Sequence, residues 1–96
     1  MDAQPRSFVA ECFWPDVREQ QVRELDARVA ACVAEPGRDD GVRYLGSILI
    51  REDEVVLLQF EGPLDAVRDV AEQAGVPFER LLETDVAPSP SDEPSR

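Results

Sequence analysis

At 96 residues the chain fits one domain, and a hydrophobic share of 43% marks it as globular rather than disordered. Its formal charge of −11 disfavours nucleic-acid binding, which needs a phosphate-neutralising surface. The chain has no histidine and no lysine, which excludes Ser-His-Asp, Cys-His and Schiff-base chemistry and removes the commonest nitrogen ligand for transition metals.

In chain order, residues 1–6 read as a polar lead-in. Ser7 to Phe13 is short, alternating and aromatic-bearing, hence a strand, broken by Trp14-Pro15-Asp16. Apolar residues at Val22, Leu25, Val29, Cys32 and Val33 then recur at helical spacing, which predicts a helix over Val17–Ala34. Glu35-Pro36-Gly37 stops it. Val42–Ile50 and Val55–Phe60 are apolar, β-branched strands, and the charged turn Arg51–Glu54 joins them as a solvated hairpin tip. Gly62-Pro63 opens a second helix with apolar positions Leu64, Val67, Val70, Ala71 and Ala74, closed by Gly75. A final strand lies within Arg80–Val86. The domain therefore spans 7–86, and the Pro- and Ser-rich residues 87–96 read as a disordered tail.

The order β-α-β-β-α-β predicts an α+β, ferredoxin-like fold: a four-stranded sheet with two helices on one face. Right-handed crossovers place the first and third strands in the middle, expected to be adjacent and parallel. A charge pressed against the helices would cost several kcal/mol, on the order of the penalty for an unpaired buried ion. Glu11 and Gln59 are therefore expected on the open face, with Phe8, Ala10, Cys12, Val56, Leu58 and Phe60 under the helices. An even-length hairpin loop pairs Ile50 with Val55, Ile48 with Leu57, Gly46 with Gln59 and Tyr44 with Glu61. The open face is then expected to carry Val9, Phe13, Tyr44, Gly46, Ile48, Ile50, Val55 and Leu57 as well. From the last strand it gains Leu81, Glu83 and Asp85, with Leu82, Thr84 and Val86 inward. So apolar a face needs a cover, and a second copy of the chain is the simplest one.

Three stretches, FVAECFWPDV, VRYLGSILIREDEVVLLQFEGP and EQAGVPFERLLE, together resemble a family of small actinobacterial proteins. An all-arginine, lysine-free and asparagine-free chain is also the coding bias of a GC-rich genome. That family includes nickel-binding members with a ferredoxin-like fold that dimerise through their sheets, within the wider group of dimeric α/β barrels. The resemblance covers residues 7 to 86 and implies the fold and a homodimer. It does not bring nickel, because the family's sites draw on histidine; no cofactor and no metal are assigned.

The candidate ligand-binding residues are Glu11, Tyr44, Gln59 and Glu83. On the expected register Glu83 lies beside Glu11, and Gly46 leaves a hole opposite Gln59, so the row could line a pocket between two subunits. Three readings compete for these carboxylates. Glu11 pairs with an arginine such as Arg43 or Arg80 and serves structure alone; or the row binds a small molecule or a cation in the cavity between sheets. A cofactor-independent cyclase, isomerase or dehydratase, with Glu11 and Glu83 as acid and base and Tyr44 as donor, is the alternative. Oxygen-only metal binding by Glu11, Glu83 and Asp85 is chemically allowed but has no calcium-type loop behind it. Trp14 with Phe13 reads as a staple against the first helix or as an aromatic wall for a flat ligand. Cys12 and Cys32 are either buried apolar thiols or a redox pair. No phosphate loop occurs. Neither a leader nor a membrane-length apolar run is evident, so a cytoplasmic protein with no membrane partner is expected.

Overall fold

A computed structural model describes residues 6–85. The expected disordered tail, the inward placement of Val86 and most of the lead-in lie outside the described residues. Within them the chain runs β1 (Ser7–Phe13), α1 (Glu19–Val33), β2 (Arg43–Ile50), β3 (Val55–Glu61), α2 (Leu64–Gln73) and β4 (Arg80–Thr84). The strands form one sheet in the order β2-β3-β1-β4. This is the ferredoxin-like α+β fold.

All three pairings are antiparallel, which corrects the expectation that β1 and β3 run parallel. The reason is topological. The crossover through α1 makes β1 and β2 parallel to each other, and β3, folded back from β2 by a hairpin, fills the gap between them in the opposite sense.

Each helix is cut to its length by local chemistry. At the start of α1 the Arg18 N–H donates to Gln21 Oε1 at 2.8 Å, which satisfies one of the backbone donors the first turn leaves free. Val22, Leu25 and Val29 form its buried stripe. At the end of α2, Gly75 takes φ 75°, which a β-carbon disfavours. Its N–H donates to Glu72 O and the Val76 N–H to Ala71 O (3.1 and 2.9 Å), a Schellman closure that also buries Val76.

Both helices cover one face of the sheet. The core between them holds Phe8, Ala10, Cys12, Val56, Leu58 and Phe60 from the strands, Leu25 and Val29 from α1, and Val67 and Val70 from α2. The six strand residues are the ones expected there. Trp14 packs against this core from the end of β1, its indole partly covered. The hairpin tip does more than face water: Glu54 O accepts from the Trp14 N–H (2.8 Å) and Glu54 Oε2 from the Asp16 N–H (3.1 Å), tying the tip to the exit of β1.

Candidate functional site

The open face is built by alternation, because opposite residues of an antiparallel pair project to the same side. One row across it reads Ile50, Val55 and Phe13; the next reads Ile48, Leu57, Glu11 and Arg80; the third reads Gly46, Gln59, Val9 and Leu82. Phe13 and Ile48 stand 52% and 45% exposed, and Val9, Ile50, Val55, Leu57 and Leu82 are partly exposed. Glu11 and Gln59 are on this face, as expected.

Arg80 donates through Nε to Glu11 Oε1 at 2.7 Å. That hydrogen bond is the main cause holding the Glu11 carboxyl below its ordinary range. The expected pairing of Glu11 with an arginine is thus made, and Arg80 is the partner. At the far corner Arg43 and Glu61 form a second pair at 3.3 Å.

Tyr44 is not on the open face. Ile50, Ile48 and Gly46 keep the expected partners, but a bulge between Tyr44 and Gly46 leaves Leu45 as an extra residue. Tyr44 therefore opposes Phe60 instead of Glu61 and turns to the helix side. Gly46 adopts φ 116° at this bulge, a conformation open to glycine and strained for other residues. On the helix side the Tyr44 ring packs on Phe60, centroids 5.1 Å apart, and its hydroxyl donates to Asp26 of α1. Ser47 donates to the other oxygen of Asp26 at 3.0 Å. Burial, and then the hydrogen bond to Asp26, push the Tyr44 hydroxyl well above its usual range. It cannot serve as a donor to the open face.

Glu83 is the second correction. Phe8 opposes Glu83, Ala10 opposes Leu81, and Val9 opposes Leu82. Leu81 and Glu83 therefore lie on the helix side and Leu82 on the open side, the reverse of the expected assignment. Beyond the reach of the helices, Glu83 accepts two hydrogen bonds from Arg6 at 3.0 and 3.2 Å, and the Arg6 guanidinium lies 5.1 Å from the centroid of the Phe8 ring. The hydrogen bond from Arg6 is the main cause lowering the Glu83 carboxyl. Glu11 and Glu83 are on opposite faces and cannot share a proton. The pair expected as acid and base is not formed, nor is a Glu11, Glu83, Asp85 ligand set. Among the described residues no group of three or more His, Cys, Asp or Glu side chains is arranged to hold a metal ion.

One cluster was not legible beforehand. After α1 the Arg38 side chain, 10% exposed, reaches Asp40, Asp69 and Gln73 at 2.5, 3.3 and 3.0 Å. It pins the loop 35–40 onto α2 beside a cleft of about 440 Å³ lined by Glu35, Asp39, Asp40 and Gln73 among others. An Arg-Asp-Asp run after a helix stop was the available signal, and it does not say which carboxylates the arginine will meet. Cys12 and Cys32 are both free, with Cys12 buried.

No protein-family model matches the chain, and no curated protein matches it by sequence. Among solved structures it is similar to SCO4226 from Streptomyces coelicolor A3(2), with a TM-score of 0.68 at 18% sequence identity over 85% of this chain and 99% of that one. At that identity the likeness carries the ferredoxin-like fold. Among the described residues no helix is long and apolar enough to cross a membrane.

Proposed function

We propose that the chain works as a homodimeric binding module: two copies meet through their open sheet faces and enclose a small polar molecule or ion beside Gln59. The observation that carries this reading is the charge balance of that face. The chain bears a formal charge of −11, yet on the strands of the open face Glu11 is matched by Arg80 and Glu61 by Arg43. Everything else there is apolar or neutral. Two copies repel each other over the rest of their surfaces and meet without repulsion here. Self-association also covers apolar side chains that a monomer leaves to water. The resemblance to small actinobacterial proteins that pair through their sheets points the same way.

The ligand position follows from Gly46 and Gln59. With no side chain on Gly46, the amide of Gln59 faces a gap at the β2 side of the sheet and makes no side-chain hydrogen bond among the described residues. Glu11 lies diagonally across from it, in the neighbouring row. A covered sheet would leave that amide with nothing to bond except an enclosed ligand or water.

Native mass spectrometry on protein purified without chelator or added metal tests both halves. A dimer carrying a reproducible extra mass, lost in Gln59→Ala, is the expected result. A bare dimer overturns the ligand, and a monomer at tens of micromolar overturns the module.

A further inference from the structure

Arg80 uses only part of its bonding capacity. Its Nε donates to Glu11 Oε1, while among the described residues both of its Nη groups and Glu11 Oε2 have no partner. In the isolated chain water serves these atoms, since the two side chains are 61% and 27% exposed. Their neighbours on the face do not: Leu57 and Ile48 continue the same row, and Val9 and Leu82 occupy the next.

Covering the sheet removes that water. A half-paired arginine and a half-paired carboxylate are then costly unless the opposing surface completes them. In a two-fold interface that surface is the same patch, so its inventory is known. It offers two carboxylates, Glu11 and Glu61, and Glu61 is already engaged by Arg43 at the sheet's far corner. The atoms left over on one Glu11–Arg80 pair are the complement of those left over on the other: N–H donors on the outer guanidinium, one carboxylate oxygen to receive them. Arginine suits this double use, because its planar fork presents Nε and Nη in different directions. Stacked sheets lie about 10 Å apart, a gap that an arginine and a glutamate extended toward each other can close.

Resting on the dimer reading above, we infer that the Glu11–Arg80 pair clamps the subunits: Glu11 of one copy bonds Arg80 of the other, closing a four-membered ring of alternating charge across the two-fold axis. The clamp sets the register of two faces that are otherwise greasy and non-directional. It also accounts for a charged pair at the end of an otherwise apolar row.

Charge reversal tests it. Glu11→Arg places two cations in one chain, and Arg80→Glu places two anions. Each variant alone should dimerise about tenfold or more weakly than the wild type, because like charges then meet across the interface. Mixed in equal amounts they should form a heterodimer in preference to either homodimer, read by native mass spectrometry from their distinct masses. Within each chain the two charges still repel, so rescue on mixing can come only from contacts between chains. The double variant Glu11→Arg/Arg80→Glu, which restores both kinds of pair, should dimerise like the wild type and controls for folding. A wild-type dimer whose two single variants mix statistically, or not at all, overturns the clamp and leaves the dimer standing. A monomeric wild type overturns both.

Discussion

The two faces of this sheet are made by the same strands, residue by residue in alternation, and they behave as different materials. On β3 the helix-side residues Val56, Leu58 and Phe60 are fully buried, while Val55, Leu57 and Gln59 between them stay partly exposed. Hydrophobicity does not separate the two sets, since Val55 and Leu57 are as apolar as Val56 and Leu58. What separates them is what the chain itself brings to cover them. The helix face receives two amphipathic helices and becomes a core; the open face receives nothing from the described residues and carries balanced charges. Burial by the chain's own helices gives stability to the monomer, and the uncovered but neutral apolar face is the one the proposed dimer would use.

Substitutions on the two faces of β3 would break that comparison most directly. Phe60→Ala should cost about 3–5 kcal/mol of folding stability, as large-to-small changes in close-packed cores do, measured by urea unfolding. Leu57→Ala, three positions earlier, should change unfolding of the dilute monomer little and weaken self-association instead. Next in size is Leu57→Glu, which sets an unpaired carboxylate in the middle of the proposed interface. It should raise the dimer dissociation constant about 100-fold, roughly 3 kcal/mol, with the circular dichroism spectrum unchanged. If sedimentation shows the same oligomer for both proteins, the open face is not the interface.

A smaller effect belongs to the polar rim of the helix face. Asp26→Ala leaves the Tyr44 and Ser47 hydroxyls without their acceptor and should cost about 1–3 kcal/mol. In the same variant the alkaline titration of Tyr44 should move down toward the ordinary tyrosine range and stop short of it, because burial, the larger cause, remains. Since the folded state holds that hydroxyl neutral past the pH at which the unfolded chain ionises, its contribution is complete below about pH 10 and disappears as pH rises above it.

The thiols report the same division without altering stability. Cys12 is fully buried, which pushes its thiol up to about 11, whereas Cys32 is partly exposed near the end of α1. A disulfide-exchange reagent at neutral pH should therefore label Cys32 in the native protein and reach Cys12 only in denaturant. Rapid labelling of both in native protein would mean that the helix face opens far more readily than its packing implies.

The smallest expected change is the acid limb. Arg80 and Arg6 hold Glu11 and Glu83 below the usual carboxylate range, so the folded state binds fewer protons than the unfolded one in that region. Their contribution is present above pH of about 4.5 and is lost as pH falls through the lowered values. In the dilute monomer water reaches and screens both pairs, so Glu11→Gln should flatten the pH dependence of its urea midpoint between pH 6 and 3 only slightly. An unchanged slope would show that the Glu11–Arg80 bond does not persist in solution.

The amino-acid order by itself determined the six elements, because each carries a local signal. Val22, Leu25 and Val29 repeat with the helical period, Val55–Phe60 is an apolar run interrupted only by Gln59, and Pro36-Gly37 and Gly75 end helices by backbone geometry. It also determined which side of β1 and β3 meets the helices, since Glu11 and Gln59 admit one phase only. It could not determine the faces of Tyr44 and Glu83. Tyrosine tolerates either side, and the bulge that turns it inward depends on how β2 pairs with β3, not on any residue alone. In β4, Leu81 and Leu82 are adjacent and Glu83 is followed by Thr84, so both phases bury one leucine and expose one polar group. The choice fell to register, with the Glu79 N–H bonded to Glu11 O (2.8 Å) and Leu81 drawn onto the core. Sequence alone weighed an arginine for Glu11 and could not pick between Arg43 and Arg80. That choice was tertiary, because the partner lies 69 residues away and meets it only when β4 closes the sheet.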